Sequence, residues 1–95
     1  MVLAYAVFDL HLPGCRSLKE KRMIVRSLKA RLRNEFEISA AEVGAQDLLE
    51  RSEMAVAVVG PDQAPLDGLL QNVLSFVEQN LDGELLNYRN EFIHV

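Results

Sequence analysis

Val2-Leu3-Ala4-Tyr5-Ala6-Val7-Phe8-Asp9-Leu10-His11-Leu12-Pro13-Gly14-Cys15-Arg16-Ser17-Leu18-Lys19-Glu20 changes its periodicity at one break, and that change sets the fold. Before the break the side chains alternate. Ala4, Ala6, Phe8 and Leu10 point one way, and Leu3, Tyr5, Val7, Asp9 and His11 the other, which is the pattern of a strand over 2–12. Both sides are apolar in the first half, as expected of a central strand or of a sheet covered on both faces. Pro13-Gly14 ends the strand. Ser17-Leu18-Lys19-Glu20 then has capping-box spacing: Ser17 can accept from the Glu20 amide, and the Glu20 carboxylate can reach back to the Ser17 amide. The spacing predicts a helix over 18–34, with Leu18, Val25, Leu28 and Leu32 inward and Ile24 beside them.

Downstream, alternation over 36–43 predicts a second strand, with Phe36, Ile38 and Ala40 opposed to Glu37 and Ser39. A connection over 44–52 leaves room for a helical turn at 46–50. Residues 54–59 read as a third strand, apolar on both faces. Gly60-Pro61-Asp62 is a turn with Asp62 as N-cap, and a second helix over 65–80 turns Leu66, Leu69, Leu70, Val73, Leu74 and Val77 inward. Gly83 closes it. A last strand over 84–93 puts Leu86, Tyr88 and Phe92 on one face and Leu85 and Ile93 on the other. The order β-α-β-β-α-β implies a ferredoxin-like α+β sandwich, a four-stranded antiparallel sheet with two helices on one face. Right-handed crossovers give the spatial order 4-1-3-2. A KH-like topology is the alternative.

The chain has 95 residues, enough for one domain over 1–95 with a single core. No apolar run approaches the length of a membrane span. The first strand is too polar at Asp9 and His11 for a signal peptide, and the lone Cys15 suits a reducing compartment, so a cytoplasmic protein is expected.

The charge is segregated. Eight of the ten Lys and Arg residues lie between Arg16 and Arg33, with Glu20 the only acid among them, so this segment carries +7 within a chain of net charge −4. Lys19, Arg22, Arg26, Lys29 and Arg33 are spaced 3, 4, 3 and 4 apart and form one stripe on a helix, opposite the apolar stripe. Such a row suits the phosphates of structured RNA or of a ribosomal particle, with Arg16 and Lys21 assisting at the helix start. Lys21 is anomalous, because its angle places it on the apolar side. An acidic protein partner is the alternative, which would make the chain an adaptor. A membrane surface is not expected, because the helix's apolar face is committed to the core. Nor is DNA sequence specificity, and the third strand lacks the aromatics on which RNA-recognition sheets stack bases.

A second candidate site lies where the first strand ends. Asp9 and His11 share a strand face, and Glu42 and Asp47 should approach them across the sheet edge, so a small ligand-binding or catalytic site there is a further alternative. His94 belongs at the opposite end of the sheet and cannot complete a metal site with His11. No metal and no cofactor are expected. Cys15 reads as a bystander thiol, and the loop before the first helix as self-capped by Ser17 and Glu20 rather than as an anion site. The open sheet face, with Leu3, Tyr5 and Val7, suggests a homodimer through the sheet.

The string His11-Leu12-Pro13-Gly14-Cys15-Arg16-Ser17-Leu18-Lys19-Glu20-Lys21-Arg22 resembles the opening motif of the YlxP-like family of small bacterial proteins, whose function is unknown. Ala41-Glu42-Val43-Gly44-Ala45-Gln46-Asp47-Leu48-Leu49-Glu50-Arg51 resembles its second motif, with Leu49 where that pattern carries an aromatic. The resemblance implies a small cytoplasmic ferredoxin-like domain. Genes of that family often neighbour those of transcription and translation factors, which implies work on RNA or the ribosome. In the deduced fold both motifs meet at one end of the domain.

Overall fold

A computed structural model describes residues 1–95 as β1 (Val2–His11), α1 (Leu18–Glu35), β2 (Ser39–Gly44), β3 (Arg51–Gly60), α2 (Gln63–Asn80) and β4 (Glu84–His94). The strands form one antiparallel sheet in the order β2-β3-β1-β4, the ferredoxin-like arrangement. β1 is central. It pairs with β3 from Val2↔Gly60 to His11↔Arg51, and with β4 on its other side. Its even-numbered residues Val2, Ala4, Ala6, Phe8 and Leu10 form the floor of the core, on which Val25, Leu28 and Leu32 of α1 and Leu66, Leu70, Val73 and Val77 of α2 pack. Both helices therefore lie on one face of the sheet. Neither is long and apolar enough to cross a membrane.

Several boundaries differ from the sequence reading, each for a local reason. Phe36 does not begin β2. It is the C-cap of α1, its amide donates to the Leu32 carbonyl at 2.9 Å, and its ring meets Phe76 edge-on at 5.6 Å. The turn after β2 is a single one, closed by the Leu48 amide on the Ala45 carbonyl at 3.1 Å, and no helix forms at 46–50. α2 begins at Gln63 with Asp62 at the N-cap position, but the Asp62 side chain makes no capping hydrogen bond.

β4 holds the largest discrepancy. Its register against β1 shifts between Asp9 and Leu10, where Asn87 faces Asp9 and Leu85 faces Leu10. Leu86 is the extra residue, and this bulge reverses the alternation below it. Leu85 thus joins Tyr88 and Phe92 against the core, while Leu86 is exposed.

Gly83 also has a different purpose from the one expected. Its φ is not in the left-handed region, but a Cβ there would collide with the His11 carbonyl oxygen. It lets the start of β4 approach the end of β1. Gly83→Ala should therefore lower the unfolding free energy by about 1–3 kcal/mol, the usual cost of overpacking. Gly68→Ala, at a helical position with open space around it, should raise it by about 0.5–1 kcal/mol. Urea denaturation of both variants checks the pair of opposite signs.

Candidate nucleic-acid interface

The capping box sets where α1 starts. Ser17 Oγ accepts from the Glu20 amide at 3.1 Å, and Glu20 Oε2 accepts from the Arg16 amide at 3.2 Å, one residue earlier than the Ser17 amide expected. Glu20 is thereby engaged with backbone. With Val25, Leu28 and Leu32 buried, Lys19, Arg22 and Arg26 are exposed and Lys29 is half-buried at the edge of the same row. From Lys19 to Arg33 the row rises about 21 Å. The four salt bridges of the chain involve none of Arg16, Lys19, Arg22, Arg26, Lys29 or Arg33. Arg33 spends Nη2 on the Ala40 carbonyl at 2.9 Å, which fixes the far end of the row against β2.

Lys21, expected among the phosphate-binding residues, is not on that surface. Its side chain is 1% exposed, on the core side of α1, because it points along the apolar stripe. The ammonium is fully occupied. It lies 3.1 Å from Glu42 Oε2 and donates to the carbonyl oxygens of Ala45 and Gln46, matching its three N–H groups. Glu42 Oε2 also accepts from Ser52 Oγ at 2.7 Å. Ala45 is the one non-glycine residue with positive φ, at 55°, in a loop that Lys21 grips by two successive carbonyls. The two sequence motifs thus meet through Lys21. Ser52 escaped notice in the sequence; an inward polar position one step before an apolar strand was the only signal.

The second candidate site does not come together as expected. His11 lies between Glu50, 3.8 Å from Nε2, and Glu84, 3.6 Å from Nδ1, two carboxylates outside the expected set of Asp9, Glu42 and Asp47. Glu50 Oε1 also accepts from the Gly14 amide at 3.2 Å, and the Leu12 amide donates to the Glu50 carbonyl at 2.8 Å, so this end clamps the β1–α1 loop to the β2–β3 loop. Glu42 is taken by Lys21 and Ser52. Asp9 faces outward in the row of Glu53 and Asn87, and Asp47 is exposed and makes no ion pair or side-chain hydrogen bond. No three His, Cys, Asp or Glu side chains are grouped for a metal, and neither of the two main concavities is lined by Asp9, His11, Glu42 or Asp47. His94 pairs with Val2 at the far end of the sheet and bonds Gln63 Oε1 at 2.7 Å.

Cys15 is buried under the loop before α1. Burial pushes its thiol up, the carboxylates of Glu20, Glu50 and Asp82 add to this, and Lys21 opposes it.

Residues 3–90 match the family described as "Protein of unknown function (DUF503)". The chain is 36% identical over 62 residues to the uncharacterized protein YlxP of Bacillus subtilis (strain 168), a stretch covering 65% of this chain and 67% of that protein.

Two predictions follow from the anchored loop and the buried thiol. Lys21→Met leaves a carboxylate and two carbonyls without their donor and should cost about 3 kcal/mol of stability. Adding Glu42→Gln to it should restore part of that loss, and urea midpoints that merely add would contradict the pairing. For Cys15 the raised folded value means that the unfolded chain releases its proton first. The stabilisation is complete at neutral pH and drains away above about pH 8.5. Wild type should lose stability over that alkaline range more steeply than Cys15→Ala, as measured by urea denaturation at a series of pH values.

Proposed function

We propose that this chain, which belongs to the DUF503 family of proteins of unknown function, binds structured RNA or a ribosomal particle through the row of Lys19, Arg22, Arg26 and the half-buried Lys29 on α1. Arg16 extends the row at its start, and the free N–H groups of Arg33 extend it at its end. The observation that carries this reading is that the row has no acidic partner anywhere in a chain of net charge −4.

The row's mutual repulsion works against the helix. Neighbouring like charges three and four residues apart each cost about 0.2–0.5 kcal/mol, so the four contacts from Lys19 through to Arg33 oppose folding by about 1–2 kcal/mol. Its first members also stand at the positive end of the helix dipole, where a cation is disfavoured. A polyanion reverses both effects. Phosphates bound along the row release condensed counterions and relieve the repulsion.

The reading is one of backbone recognition. The aromatic rings lie in the core or on the sheet. Tyr5, on the outer face, donates its hydroxyl to Glu91, a contact that holds its ionisation above the usual phenol range. No stacking platform adjoins the basic row, and single-strand binders depend on one. A folded RNA presents its phosphates without that requirement. The site of action is the cytoplasm, which fits the single reduced thiol.

Arg22→Gln/Arg26→Gln/Lys29→Gln separates function from fold. The triple variant should bind duplex RNA or ribosomal subunits at least tenfold more weakly. Its slope of log affinity against log salt should be shallower by about 2–3. It should also be more stable than wild type, by about 1 kcal/mol, when no RNA is present. Affinity equal to wild type across the salt series would contradict the proposal. Tighter binding of polyglutamate than of RNA would reassign the row to an acidic protein.

A further inference from the structure

The face of the sheet turned away from both helices divides into two unlike halves. In the lower half, Arg89 Nη2 reaches to 3.6 Å from Glu53 Oε1 across β1, with Asp9 and Asn87 in the adjoining row. Val7 points outward there and is nevertheless buried. In the upper half, the strand registers set Val59, Leu3 and Ile93 side by side, and they are 56%, 39% and 43% exposed. A concavity of about 880 Å³ continues this apolar surface around the edge of β3, past Ile38, Pro61 and Leu69, where β2 has not yet begun to pair.

We infer that a second copy of this chain covers that face, packed sheet to sheet about a two-fold axis. Pairing through the β4 edge is disfavoured, because that edge carries the Leu86 bulge with Asn87, Arg89, Asn90 and Glu91, the devices that blunt an edge strand, and the β2 edge offers only six residues. The face has room for a partner. Three strands of ten or eleven residues and the six-residue β2, about 4.8 Å apart, span on the order of 600 Å². Two such faces bury about 1,200 Å², the lower end of specific interfaces. Charge also favours this face over α1: Arg89 is paired with Glu53 and Glu91 is held by the Tyr5 hydroxyl, with Asp9 left at the polar end, whereas two basic α1 faces would repel each other. An axis along the strands sets the row of Leu3, Val59 and Ile93 against its own equivalent, which a self-complementary interface requires. Both copies of α1 then lie on the outside, so this inference stands independently of what the basic row binds.

Sedimentation equilibrium of the full chain over a micromolar concentration series tests it. The mass should rise from 10.7 kDa towards twice that value. Val59→Asp, at an exposed position, should keep the circular dichroism and melting temperature of wild type and weaken association at least tenfold. Ile93→Asp should do the same and covers the case in which one substitution disturbs the sheet. Arg26→Glu should leave association unchanged. A wild-type mass of 10.7 kDa throughout would overturn the proposal and leave the face for a different protein. So would association of Val59→Asp and Ile93→Asp as tight as that of wild type.

Discussion

The Lys21 ammonium is the interaction on which the arrangement of this end of the domain depends. A buried charge is tolerated only when it is paired and its hydrogen bonds are filled. Here the carboxylate of Glu42 on β2 and two carbonyls of the loop that follows it fill them. The contact fixes α1 rotationally: with Lys21 inward, Lys19, Arg22 and Arg26 must point out. It also holds Ala45 in a left-handed conformation, which costs a side-chain-bearing residue on the order of 1–2 kcal/mol. A hydrophobic residue at position 21 would fill the space, but it would leave the loop without its donor.

The helix thus sorts its cations by angle. Lys21 is spent inside on structure, Arg31 and Arg33 each give one N–H to a carbonyl, and none of the cations other than Lys21 has an acidic partner. This division gives the charge segregation its physical meaning. An element that opposes its own stability by self-repulsion, in a chain otherwise acidic, suits contact with a polyanion better than it suits folding. The apolar half of the opposite sheet face is a second surface with a different chemistry. The two lie on opposite sides of the molecule, so occupation of one leaves the other open.

Much of the fold was legible because it rests on periodicity. The alternation of Ala4, Ala6, Phe8 and Leu10, the helical spacing of Val25, Leu28 and Leu32, and the Ser17–Glu20 cap each point to one local structure, and their order points to one topology. The errors fall where a single residue decides the outcome. The Leu86 bulge reverses the alternation of β4 without a mark in its composition, and Gly83 serves a close approach that only the assembled sheet reveals. At the site, the helical angle of Lys21 already set it apart from the other cations. Its partners on the loop, and the choice of Glu50 over Asp47 beside His11, depend on loop conformation, which side-chain periodicity does not encode.

Lysine labelling by an amine-reactive reagent, read residue by residue by mass spectrometry with and without duplex RNA, tests the sorting of these cations most directly. Lys19 and Lys29 should react in the free protein and become protected when RNA is bound, while Lys21 stays protected in both. Rapid labelling of Lys21 in the folded chain, or Lys19 and Lys29 reacting equally with and without RNA, would contradict the account.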